Sequence, residues 1–285
     1  MKAGEKRQTY FYGIIAAALF AVWLFAPFLV KAGGAERVNG KTIAAKIIVF
    51  GDSVMGEVRD ETSVPAQLGQ LLEETVYNAA LGGTCAARVE PERRLDYTKD
   101  SLSLVGLAKS VEAEEFGVQQ SIMMRESNTE YFEEAVDGLA AVDFSKVELV
   151  LLQQGINDYH AGVPIESLSD PYDGRTFKGA FRTAVRCLRR ANPSLQIYIV
   201  TPTYTWYPQT GRTCEEADYG GGVLEEYVNA QLELAEELNV GVIDVYHDFY
   251  PHERWEDWEL YSRDGLHPNE AGREKLAMRI AECLK

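Results

Sequence analysis

Short unbroken apolar runs along this chain alternate with longer stretches in which apolar residues recur every three or four positions. The runs are Ile47–Phe50, Thr75–Asn78, Val147–Gln153, Gln196–Thr201 and Val240–Val245. They are rich in β-branched residues and lack polar alternation, which predicts strands buried on both faces. Helical periodicity marks Pro65–Glu74, Tyr131–Ala141, Phe177–Ala191, Leu224–Leu238 and Glu270–Leu284. Strand–helix alternation of this kind predicts right-handed crossovers and a parallel sheet. No internal repeat or low-complexity linker divides residues 46–285, so one α/β domain is expected there.

Two stretches break the alternation. Cys85–Glu130 is long for a simple connection, carries a helical pattern at Leu104–Glu115, and reads as an insertion that shapes a cleft. Gly211–Gly222, with Cys214 and three closing glycines, reads as a mobile loop.

The N-terminus follows a different pattern. Tyr10–Val30 is uncharged and apolar, long enough for a helix to cross a hydrocarbon core of roughly 30 Å. Lys2, Lys6 and Arg7 precede it against Glu5 alone, which keeps the tail cytoplasmic and exports the remainder. A cleaved signal peptide is the competing reading. Its apolar core would be shorter and would end at a small-x-small site, for which only Ala32-Gly33-Gly34-Ala35 offers itself. The expected organisation is therefore a tail and single transmembrane anchor over 1–31, a spacer over 32–45 and a catalytic domain over 46–285. That domain is extracytoplasmic, and secreted if the segment is cleaved.

Charge narrows the partners. Beyond residue 31 the chain keeps 24 of its 28 basic and 43 of its 44 acidic residues, a formal charge of −19. Such a domain repels nucleic acid and anionic headgroups and favours neutral or cationic substrates. Cys85, Cys187, Cys214 and Cys283 are scattered, with no disulfide framework or zinc spacing. Cys187 and Cys283 fall on predicted helices, where small buried apolar roles are expected.

The candidate chemistry sits just past the strand-like runs, where ligands bind in open parallel sheets. Gly51-Asp52-Ser53 follows the first run, Asn78–Gly83 the second and Gly155-Ile156-Asn157-Asp158 the third. Near the C-terminus stands Asp264-Gly265-Leu266-His267-Pro268. Each has a plainer reading: Ser53 as a helix N-cap, Gly83 as a turn glycine, Asn157 and Asp158 as strand terminators, His267-Pro268 as the opening of a helix. Jointly they supply a nucleophile, a base, an orienting carboxylate and oxyanion donors. His247 beside Asp248, and His252 beside Glu253, offer ligand atoms for a metal but neither a recognised spacing nor a third donor. Tyr159, Tyr204, Trp206, Tyr207, Trp255, Trp258 and Tyr261 gather near these segments, as core or as lining of an acyl or sugar site.

The four blocks, in this order, resemble those of the SGNH (GDSL-type) hydrolase family, over residues 46–285. Val54 replaces the leucine common after the serine. The resemblance implies a flavodoxin-like three-layer α/β/α sandwich with a five-stranded parallel sheet, and neither a metal nor an organic cofactor. It implies that Ser53 attacks an acyl carbonyl, that His267 takes its proton and that Asp264 orients the imidazole. The Ser53 and Gly83 backbone N–H groups and the Asn157 amide would hold the oxyanion. The expected activity is hydrolysis of small O-acyl esters, acetyl among them, on carbohydrates. An O-acyltransferase with the same triad, a lysophospholipase or lipase, and a non-catalytic glycan-binding module are the rivals.

Overall fold

The computed structural model describes residues 42–89, 100–121 and 132–285. The anchor expected at Tyr10–Val30 lies outside the described residues. Among those described, no helix is long and apolar enough to cross a membrane.

Five parallel strands form the sheet: β1 (Ile47–Gly51), β2 (Val76–Asn78), β3 (Leu149–Gln153), β4 (Gln196–Val200) and, last in the chain, β7 (Gly241–Ile243), in the order β2-β1-β3-β4-β7. β1 runs beside β3 from Ile47↔Leu149 to Gly51↔Gln153, so these two strands end together. Every residue of β1 is buried, as its unbroken apolar run predicts. The helix Val64–Leu72 packs on the final helix Glu270–Leu284. The helix Phe177–Ala191 packs against both Leu104–Ala113 and Leu224–Leu238. The α/β class and the five-stranded parallel sheet are as the sequence predicts.

The helices Phe177–Ala191, Leu224–Leu238 and Glu270–Leu284 match their patterns residue for residue, and β1 runs one residue past its apolar run, but several other elements are shorter than their patterns. Val64–Leu72 starts from Ser63, whose hydroxyl accepts the Ala66 N–H, and stops at Glu73 in the left-handed region (φ 55°). The predicted run Val147–Gln153 loses its start to a 3₁₀ turn at Phe144–Lys146. Val240–Val245 narrows to three strand residues because Asp244 turns to cap its own backbone, accepting the Tyr246 and His247 N–H groups.

The segment expected to be a mobile loop contains structure. A two-residue strand, β6 (Arg212–Thr213), pairs antiparallel with β5 (Trp206–Tyr207). Beyond it the Asp218 carboxylate accepts the Gly220 and Gly222 N–H groups at 2.6 and 3.1 Å. Within the insertion, the helix Leu104–Ala113 is followed by a turn of helix at Gly117–Gln120. Cys187 is buried as expected, but Cys283 is exposed, because Ile280 and Ala281 hold the buried face at that end of the final helix. None of the four cysteines is in a disulfide.

Candidate active site

Ser53 opens a one-turn helix, Ser53–Gly56, directly beyond β1. Asp52 is the cap: its Oδ1 accepts the Val54 N–H at 2.9 Å. The helix is pressed against the segment after β2, since a Cβ on Gly56 would stand 2.8 Å from the Ala80 carbonyl oxygen. That segment is tied down in turn. Asn78 donates to the Met55 carbonyl and accepts the Ala80 N–H, and the Arg59 guanidinium donates to the carbonyls of Asn78 and Ala80.

The serine hydroxyl faces the imidazole. Ser53 Oγ lies 2.9 Å from His267 Nε2, and His267 Nδ1 lies 2.8 Å from Asp264 Oδ2. With Nδ1–H donating to the carboxylate, Nε2 is left as an acceptor for the hydroxyl proton. The other carboxylate oxygen accepts the backbone N–H groups of Leu266 and His267. Burial works against the charge on Asp264, but those N–H groups and the imidazole outweigh it and hold the carboxyl below its ordinary range.

Ser262, which sequence reasoning passed over, shapes this loop. Its hydroxyl donates to the His267 carbonyl and accepts the Gly265 N–H at 2.7 Å. A serine two residues before the acid is a turn signal of the ordinary kind, and nothing in its position marked it.

Gly83 lies in a turn at φ 74°, with nothing within 4 Å of where a Cβ would be. Its neighbour Gly82 touches Ser53, with 3.7 Å from a built Cβ to the serine Cβ. Asn157 belongs to the short helix Ile156–His160 beyond β3 and donates from Nδ2 to the Thr84 carbonyl at 3.1 Å. An amide nitrogen carries two hydrogens; the bond to Thr84 uses one and orients the other. Asp158, buried beside it, accepts the Ala86 and Ala87 N–H groups at 2.8 and 2.9 Å. The sequence offered Asp158 only as a strand terminator. The fold makes it the clamp that ties the segment after β2 to the helix carrying Asn157.

Asp52 was read only as part of a turn. It is fully buried, and its Oδ2 has no hydrogen-bond partner. Burial pushes its carboxyl up to about 7 against the opposing Val54 N–H, and the nearby Asp158 charge adds to the rise.

A second Asp-x-x-His segment has the same local form. Asp244 Oδ2 lies 2.7 Å from His247 Nδ1, but His247 Nε2 faces Glu225 at 3.8 Å rather than a hydroxyl. Among the described residues, no three His, Cys, Asp or Glu side chains converge as a metal site would require.

Of the aromatics near the blocks, Tyr159, Tyr204 and Trp206 are core, while Trp255 is exposed. Two cavities of about 510 and 580 Å³ lie away from Ser53: one at the amino edge of the sheet around Lys46 and Glu148, one beside the final helix around Phe249 and Lys275. We give them no part in the chemistry, because neither is lined by any residue of the Ser53–His267–Asp264 chain. Val54, Ile156, Pro202 and Leu266 line a crevice with no room for a water-sized sphere. Three of these adjoin Ser53, Asn157 and His267 in sequence.

The model of the GDSL-like Lipase/Acylhydrolase family matches residues 49–275. A "possible lipase" from Chitinophaga pinensis DSM 2588 is 17% identical with a TM-score of 0.56, over 84% of this chain and 97% of that one. A Lactobacillus plantarum protein is 15% identical with a TM-score of 0.57, over 85% and 97%. An acetyl xylan esterase, AlAXEase, is 17% identical with a TM-score of 0.51, over 84% and 100%. These likenesses show a shared fold. No curated protein matches the chain.

Proposed function

The chain belongs to the GDSL-like lipase/acylhydrolase family of hydrolases, and from that premise we propose that it is a serine esterase releasing short acyl groups, acetyl above all, from carbohydrate hydroxyls. The observation that carries this reading is the continuous chain from Ser53 Oγ through His267 to the Asp264 carboxylate.

In the proposed cycle, Nε2 of His267 takes the Ser53 proton as Oγ bonds to the ester carbonyl carbon. Negative charge moves to the carbonyl oxygen, which the Ser53 and Gly83 N–H groups and the Asn157 amide hold. The intermediate collapses, the C–O bond to the sugar breaks, and the imidazolium returns its proton to the departing alkoxide. Water then attacks the acyl-serine, losing its proton to Nε2; the acyl C–Oγ bond breaks, Nε2 returns that proton to Oγ, and the carboxylic acid leaves. Asp264 stays ionised throughout and stabilises the imidazolium.

The charge of −19 beyond residue 31 supports neutral substrates, because it disfavours anionic lipid. One fold neighbour is an acetyl xylan esterase, in keeping with an acetylated glycan. We place the catalytic domain outside the cytoplasm, held by residues 10–30 as an uncleaved anchor, on the charge asymmetry around that stretch.

The test is turnover of aryl esters from acetate to decanoate, and of acetylated oligosaccharides, by the full chain and by Ser53→Ala. Ser53-dependent release of acetate, falling steeply with chain length, is expected. Turnover that survives Ser53→Ala, or that rises with chain length, would overturn the reading.

A further inference from the structure

Tyr219 is an exposed aromatic ring packed on His160, in the helix that carries Asn157. It is 46% exposed, and its ring meets Tyr159, His160 and Tyr207 at centroid distances of 5.1, 5.2 and 6.1 Å, each within 11° of perpendicular. Those three are fixed. His160 Nε2 and the Tyr207 hydroxyl are 2.7 Å apart, and the buried Tyr159 donates to the Ala217 carbonyl at 2.8 Å. The loop under Tyr219 is held as firmly. Asp218 caps Gly220 and Gly222. Gly162, at φ 61°, approaches so closely that a Cβ there would stand 2.3 Å from the Tyr219 carbonyl oxygen. An exposed ring on so rigid a base keeps its orientation without a ligand, so little ordering entropy remains to be lost on binding.

Its place relative to the chemistry follows from the same contacts. His160 is three residues beyond Asn157 in one short helix, so both project from the same side. Tyr207 follows Trp206, whose N–H donates to the Gly265 carbonyl at 2.9 Å, and precedes Pro208, which also touches Gly265. The base of Tyr219 therefore spans from the amide donor to the loop bearing Asp264 and His267.

Building on the reading of the site as a carbohydrate esterase, we propose that Tyr219 is the platform on which the sugar ring bearing the ester stacks, making it a specificity-determining residue for neutral glycans. A pyranose shows an apolar C–H face and a rim of hydroxyls. A tyrosine offers an apolar face with a polar tip, which suits such amphipathic rings. The overall negative charge disfavours uronates, leaving uncharged sugars as the class.

The experiment compares Tyr219→Ala and Tyr219→Trp with the parent chain on an acetylated xylo-oligosaccharide and on an aryl acetate. The ratio of kcat/KM for sugar ester over aryl ester should fall about tenfold in Tyr219→Ala, through KM, and recover in Tyr219→Trp. An unchanged ratio overturns the proposal. If the parent cleaves aryl acetate but no sugar ester, the esterase reading loses its carbohydrate part. The platform is then read separately, by titrating Ser53→Ala protein with unacetylated xylo-oligosaccharide and following tyrosine resonances. Binding that Tyr219→Ala abolishes supports the platform, and absence of binding overturns it.

Discussion

Arg263, the residue before Asp264, is ion-paired to Glu57, the residue that closes the helix opened by Ser53. One contact thus joins the loop carrying the imidazole to the turn carrying the hydroxyl, from opposite ends of the sequence. Both side chains are nearly half exposed, so the pair adds little to stability, about 0–1 kcal/mol. Its effect should appear in alignment. Arg263→Ala is expected to lower kcat several-fold with Tm nearly unchanged, and the reversed pair Glu57→Arg with Arg263→Glu to recover most of it. Steady-state kinetics beside thermal melts will check this. A drop in Tm that parallels the loss of kcat would assign the pair to folding instead.

Asn157 has one amide hydrogen committed to Thr84; in the proposed cycle the other serves the oxyanion. Asn157→Ala should cost about 2.7–4 kcal/mol of transition-state stabilisation, seen in kcat rather than KM. A folded variant with near-normal kcat would remove Asn157 from the oxyanion site.

Asp52 predicts a pH dependence. Its carboxyl sits at about 7 in the fold, because burial disfavours the charge, against an ordinary 3.8. Between those values the folded chain holds a proton that the unfolded chain has released. Stability therefore falls as pH rises across that window and levels off above about 7. Asp52→Asn keeps an acceptor for Val54 and cannot ionise. The Tm difference, variant minus parent, should grow from pH 4 to 7 and then stay constant. A flat difference would show that Asp52 is charged throughout.

Arg182 is a buried cation between two carboxylates. Only 8% of its side chain is exposed, and it bonds both Glu166 and Glu237, holding Phe177–Ala191 to Leu224–Leu238. Both glutamates are over a third exposed, so water can take them when the guanidinium is removed. Arg182→Ala should still cost about 2–4 kcal/mol through lost packing and lost bonds, measured by urea unfolding. A change below about 0.5 kcal/mol would make the network ornamental.

Much of the fold was legible because it is written in local periodicity. Short, β-branched runs such as Ile47–Phe50, closed by Gly51, read as strands covered on both faces, and a chain alternating such runs with amphipathic helices has few ways to bury them all. The ends were less legible, since Ser63, Glu73 and Asp244 stop or start elements through single hydrogen bonds that periodicity does not register. Asp158 and Ser262 were missed as site-building residues for a related reason. Their partners, Ala86, Ala87 and the His267 carbonyl, come close only after the chain has folded.

The two Asp-x-x-His segments separate what sequence determines from what tertiary structure decides. In both, a carboxylate accepts the N–H of the histidine three residues on and bonds its Nδ1, at 2.8 Å for Asp264–His267 and 2.7 Å for Asp244–His247. Four residues suffice for that, because the turn is closed by its own side chain. What the far nitrogen meets is not local. For His247 it is Glu225, and for His267 it is the hydroxyl of Ser53, a contact across 214 residues. The sequence by itself determined the parallel sheet and the Asp264–His267 pairing, while the equivalent pairing at Asp244–His247 was not read in it. Only the packing of the final loop against the end of β1 decided which imidazole would face a serine hydroxyl.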